Sequence, residues 1–154
     1  METEESISSG SSGFNSLLPY AAWIITLAGT AGSLFFSEVM GFPPCNLCWY
    51  QRVALYPLVA VIAVGIASAD TGWKKYAWPL VLTGIAIAVY HNLLYYDLIP
   101  QGITPCTEGV PCDARQLELF GFITIPLMSL AGFVAIATCL ILYRPDKEIY
   151  EERS

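Results

Sequence analysis

The charged residues of this chain are spaced so that they leave four long apolar stretches between them. No charge occurs between Glu5 and Glu38, and residues 17–36 are the strongly apolar part of that gap. Residues 53–69 are uncharged for 17 positions, 76–96 for 21 and 119–143 for 25. A helix rises about 1.5 Å per residue and the hydrocarbon layer of a bilayer is roughly 30 Å thick. The third and fourth stretches can therefore span outright. The first spans with Tyr20 and Trp23 near one end. The second reaches spanning length if Trp49 and Tyr50 occupy the interface and Arg52 snorkels. None of the four has the polar face of a helix in a soluble bundle. The pattern predicts an all-α membrane protein, a four-transmembrane-helix bundle with both termini on one side. Pro126 should kink or distort the fourth helix, and Pro57 raises the same expectation in the second.

The flanks divide the chain. Residues 1–16 contain the run ESISSGSSGFNS, a Ser/Gly composition expected of a disordered lead. The first apolar stretch lacks the basic n-region of a signal peptide and is too long for one. Residues 17–143 form the expected transmembrane domain, and 144–154 a tail.

Composition agrees with this reading. Apolar types make up 55% of the chain and charged types 13%, about half the usual share. The net charge of -6 comes without a basic patch, which argues against a nucleic-acid partner. Lys74, Lys75, Arg144, Lys147 and Arg153 fall on the side of the tails and the GWKK turn, whereas Arg52 and Arg115 fall on the other. By the positive-inside rule the termini are cytoplasmic. The two cysteine-bearing loops then face outward, where disulfides form and persist.

Five cysteines allow two pairs and one spare. Pro43 and Pro44 end the first helix and present Cys45-Asn46-Leu47-Cys48 at the start of the second. Unpaired N–H groups at a helix N-terminus favour a thiolate, and a lowered thiol pKa makes a readily oxidised dithiol. A lone C-x2-C could be a redox pair, half a zinc site or a structural disulfide. Arg52 follows Cys48 by four residues, so it lies on the same face about a turn deeper. It could stabilise a Cys48 thiolate, bind a carbonyl oxygen of an electron acceptor, or meet lipid headgroups. Cys106 and Cys112 lie in the long second outer loop, each preceded by a proline. They could form a labile exposed disulfide or a structural staple. No histidine or acid at ligand spacing reinforces a zinc site, so no metal is expected.

These features resemble the DsbB family of membrane disulfide-bond oxidases, in its short BdbC-like branch. The resemblance rests on Cys45-Asn46-Leu47-Cys48, on Trp49-Tyr50-Gln51-Arg52, on the Cys106/Cys112 loop and on Gly121-Phe122-Ile123-Thr124-Ile125-Pro126. It covers roughly residues 17–143. It implies a bacterial cytoplasmic-membrane enzyme that reoxidises an extracytoplasmic thioredoxin-like (DsbA-like) oxidase. Cys106 would form the mixed disulfide with that partner, Cys112 would attack Cys45, and Cys48 would be left as a thiolate facing a membrane quinone (ubiquinone or menaquinone). Arg52 would stand beside the quinone ring. The five residues between Cys106 and Cys112 make a shorter loop than in proteobacterial members, which leaves the order of exchange open.

His91, the one histidine, lies on the third helix about two turns before the outer loop. It could bind a quinone oxygen, pass a proton, or bond a neighbouring helix, and Asn92 carries the same ambiguity. Glu38 could pair with Arg52 but is expected to mark the membrane boundary. Cys139 is expected to be a small buried hydrophobe. Gly29, Gly32, Gly84 and Ala88 permit close helix approach. Two other functions fit the same residues: a related thiol relay running toward reduction, and a non-enzymatic protein stapled by disulfides or zinc.

Overall fold

The computed structural model describes residues 5–68, 71–99, 118–119 and 123–144, with the backbone alone at 5–14, 71, 118, 119 and 123. Four helices account for most of it: α1 (Glu5–Leu34), α2 (Asn46–Ser68), α3 (Lys74–Tyr95) and α4 (Ile125–Leu142). Each packs on two others, α1 and α3 both on α2 and α4, so the four close a ring. All four contain segments long and apolar enough to cross a membrane, beginning at Asn15 in the first. The expected all-α bundle is what the chain forms. Large apolar side chains such as Ile24, Val53, Val64, Leu82 and Ile141 point outward, as they do where the surroundings are lipid.

The buried side is a narrow stripe on each helix. On α2 it runs Leu47, Gln51, Ala54, Leu58, Ile62, Gly65, in steps of three and four. Two glycines set the closest approaches. A Cβ on Gly84 would lie 2.2 Å from the Phe133 ring, and one on Gly65 would lie 2.4 Å from Trp73. Gly84 therefore packs α3 against α4, as expected of a small residue there. Gly32 does not: a Cβ there would meet nothing within 4 Å.

One end of the bundle gathers α1 at Asn15, the start of α3 and the end of α4. The Asn15 side-chain amide donates to the Arg144 carbonyl, and the Arg144 N–H donates to Asn15 Oδ1 at 2.8 Å. Lys74 Nζ donates to the Tyr143 carbonyl at 2.7 Å. The α1–α2 connection, the end of α3 and the start of α4 therefore lie together at the other end.

Three local features differ from the sequence reading. The backbone of residues 5–16 continues α1, where a disordered lead was expected. The fourth helix begins at Ile125, not near Leu119: Glu118–Leu119 (β1) pairs antiparallel with Ile123–Thr124 (β2). Pro126 consequently sits in the first turn of α4, where its missing N–H has no partner to lose and no kink arises. Thr124 caps this helix, its hydroxyl accepting from the Leu127 N–H at 3.3 Å. Pro57 and Pro79 lie inside α2 and α3, which run through them.

Candidate functional site

The first cysteine pair is built by the end of α1. Residues Phe35–Val39 widen into a π-turn, and Gly41 takes φ 69°, a left-handed conformation that glycine adopts without strain. Phe42 N–H closes back on the Phe36 carbonyl at 3.0 Å. The chain then turns through Pro43 and Pro44 into α2, which starts at Asn46 with Cys45 just before it. Cys45 is buried with Leu47 and Leu94.

Cys45 and Cys48 are free thiols with their sulfurs 3.2 Å apart, within hydrogen-bond reach. The hydrogen bond with Cys48 holds the Cys45 thiol far below its usual value, to about 4, against burial, which pushes it up. His91 and the Cys48 backbone N–H add to the lowering. His91 reaches Cys45 from α3, its Nε2 3.9 Å from the sulfur, and is 2% exposed. The two sulfurs and the imidazole lie within 4.8 Å of one another. Three donors are one short of a closed structural zinc site.

Arg52 stands one turn beyond Cys48, as its spacing requires, and is buried. Its Nε donates to Ser33 Oγ at 2.7 Å and its Nη2 to the Ser33 carbonyl at 2.8 Å. The guanidinium also lies 5.5 Å from the centre of the Trp49 ring. Among the described residues no carboxylate is one of its partners. Glu38 is exposed and accepts from its neighbour Ser37, so it does not pair with Arg52. A buried cation without an anion is costly, and it favours negative charge arising beside it.

These groups share one cleft of about 240 Å³ between α1, α2 and α4, with the end of α3 as a wall. Cys45, Cys48, Gln51, Arg52, His91 and Ser33 give it a polar end. Ile25, Leu55, Phe133 and Ile136 make the rest apolar. Ala28, Gly29 and Met128 also line it and are exposed, so the cleft opens onto the outer face between α1 and α4. Gly32 and Gly132 line it as well, and a Cβ on either would meet no atom within 4 Å. The volume lies just below the roughly 300 Å³ at which small-molecule sites begin.

The structure thus brings Cys45, Cys48, Arg52 and His91 together. Cys106 and Cys112 lie outside the described residues. Asn92 is separated from its neighbour His91 in role: its amide donates to the Ala88 carbonyl at 2.8 Å and the Pro126 carbonyl at 3.0 Å, tying α3 to the start of α4. Cys139 packs against the main core cluster. Ser33 and Gln51 were not identified as site residues from sequence. Ser33 is one polar residue in an apolar stretch, 19 positions from the arginine that it holds. Gln51 was visible only as part of the Gln-Arg pair.

Comparison with known proteins supplies the family. The family model described as "Disulfide bond formation protein DsbB" matches residues 15–143. Disulfide bond formation protein C of Bacillus subtilis (strain 168) is 42% identical over 130 residues, 83% of this chain and 93% of the relative. A probable disulfide formation protein of Metapseudomonas resinovorans is 42% identical over 79% of this chain and 85% of its own length. No solved structure matches. A four-helix chain with its thiol pair at one end, matched along nearly all of its bundle, belongs to the DsbB family of disulfide bond formation proteins.

Proposed function

We propose that this membrane disulfide oxidoreductase reoxidises an extracytoplasmic thioredoxin-like oxidase and delivers the electrons to the membrane quinone pool. The cysteine end of the bundle faces outward and the end that joins Asn15 to Arg144 is cytoplasmic. That orientation is supported by the lysines and arginines clustered at the second end. The observation that carries the reading is one cleft, which connects Cys48 and Arg52, a cation with no carboxylate partner among the described residues, to the exposed surface between α1 and α4.

The relay begins when a thiolate of the reduced partner attacks Cys106 of the Cys106–Cys112 disulfide and Cys112 leaves as thiolate. The partner's second thiol releases the partner as a disulfide. Cys112 then attacks Cys45, the Cys45–Cys48 bond breaks and Cys48 carries the charge; Cys106 next attacks Cys112, which restores the Cys106–Cys112 disulfide and leaves Cys45 and Cys48 as the reduced pair that holds the two electrons. A quinone in the cleft supplies a two-electron, two-proton acceptor that can diffuse in lipid. The residues present fit such a group: apolar walls for a flat ring and its tail, and a fixed cation for an oxygen. Cys48 lines the cleft, so its sulfur needs no large movement to meet a ligand there. Arg52, locked on Ser33, favours the negative charge that develops nearby. His91, against Cys45, is placed to hold or move a proton between the thiol pair and the cleft. Each exchange is governed by thiolate stability and access.

The test is quinol formation by the purified protein in detergent, given a reduced thioredoxin-like oxidase and a quinone. Cys48→Ser should abolish turnover, and Arg52→Ala should weaken the use of quinone. Parent-like behaviour of both variants would remove the assignment. The reductive direction predicts instead that quinol reduces the partner under the same conditions. The zinc-stapled reading needs a fourth donor. It predicts stoichiometric metal in the purified protein and unfolding by chelators, whereas the redox reading predicts turnover unaffected by them.

A further inference from the structure

Gln51 is a buried polar residue that the thiol relay does not use. Its side chain is 7% exposed, and it lines the cleft between Cys48, three positions before it, and Arg52. Among the described residues its Nε2 has no hydrogen-bond partner. An amide nitrogen can only donate, so what it lacks is an acceptor. Native proteins rarely leave a buried donor in that state.

Thr30 Oγ1 and Tyr56 Oη are also buried without a partner among the described residues, but neither residue lines the cleft, whereas Gln51 does. Asn92, one helix away, has its amide nitrogen on two backbone carbonyls. Thr26, fully buried on α1, donates to the Ala22 carbonyl at 2.6 Å. Among the α1 residues that line the cleft the polar side chain is Ser33, and both of its oxygens accept from Arg52. Among the described residues no acceptor for Gln51 is present, and a ligand entering the cleft can supply one.

We propose that Gln51 is a binding residue for the electron acceptor, donating from Nε2 to a ring carbonyl oxygen and selecting for a ligand that presents one there. This rests on the quinone reading above. With Arg52 as its neighbour, the polar end of the cleft offers two donors of different kind. The guanidinium is a cation held in place by its two bonds to Ser33. The amide is neutral and uncommitted. A flat ring bearing oxygens satisfies both while its apolar remainder lies along Leu55 and Phe133.

The test compares the parent with Gln51→Leu, which keeps the branched shape, and Gln51→Met, which keeps the length; neither side chain can donate. Binding of a short-chain 1,4-quinone is followed by thermal shift and by tryptophan fluorescence. Turnover is measured separately against quinone and against the reduced partner. The expected result is about a tenfold weaker quinone Kd and a matching rise in quinone KM, with the partner KM unchanged. The melting temperature without quinone should not fall, because an unsatisfied donor has been removed. A merely structural glutamine would move that temperature and leave both KM values alone. If the parent binds and turns over quinone and both variants match it, the inference is overturned. If the parent binds quinone through Gln51 but does not turn it over, the inference stands and the quinone-coupled function fails. If the parent neither binds nor reduces quinone, both are overturned.

Discussion

Arg52 on α2 is fastened to Ser33 on α1 by two hydrogen bonds, one to the hydroxyl at 2.7 Å and one to the carbonyl at 2.8 Å. The cation that the sequence places beside Cys48 is thus aimed by a different helix. Charge and direction have separate origins, and each can be removed alone.

Ser33→Ala removes the hydroxyl bond and leaves the carbonyl. The expected cost is about 1 kcal/mol of stability, the usual net worth of one such bond. Quinone use should fall by several-fold, less than for Arg52→Ala. Arg52→Lys should resemble Arg52→Ala more than Ser33→Ala, since an ammonium cannot reproduce the two-pronged grip. Thermal denaturation and quinone-dependent turnover of the three variants check the order.

Cys45 should behave as a thiolate over a wide pH range. Its folded pKa is lowered to about 4 by the Cys48 hydrogen bond, against roughly 8.5 for a free thiol. The associated stability of the reduced protein is present above the unfolded value and is lost as pH falls through 4. Alkylation of reduced Cys45, followed by peptide mapping, should be nearly flat from pH 8 to about pH 5 and decline below that. An inflection near pH 8.5 would show an ordinary thiol.

Gly84 and Gly132 should respond in opposite ways to added bulk. Gly84→Ala drives a methyl into the buried Phe133 ring and should destabilise the bundle by about 1–3 kcal/mol. Gly132→Val extends into the open cleft. It should leave folding nearly unchanged and impair quinone use. Melting temperatures and quinone KM values for the pair separate packing from ligand clearance.

Asn92→Leu cuts the tie between α3 and the Pro126 carbonyl of α4 and removes two buried side-chain hydrogen bonds. It should lower stability by about 1–3 kcal/mol without shifting the alkylation profile of Cys45, which faces His91 instead. A changed profile would mean that the α3–α4 tie also positions the thiols.

The spacing of charges determined the number of membrane helices, because each charged residue left in hydrocarbon is costly and the breaks are therefore visible in one dimension. Cys45, Cys48 and Arg52 were equally legible, since a helix converts separations of three and four into one face. The start of α4 was not, because the sequence from 119 onward is as apolar as a helix, yet Glu118–Leu119 pairs with Ile123–Thr124 and Thr124 caps the true beginning. Nor could sequence tell His91 from Asn92, adjacent polar residues on one helix whose side chains point 100° apart. Only packing turned the first to Cys45 and the second to Pro126. The Ser33 grip, the cleft and the Gln51 Nε2 that has no partner among the described residues also belong to the tertiary structure: each depends on which faces of α1, α2 and α4 meet, and uniformly apolar helices carry no stripe that announces this in advance.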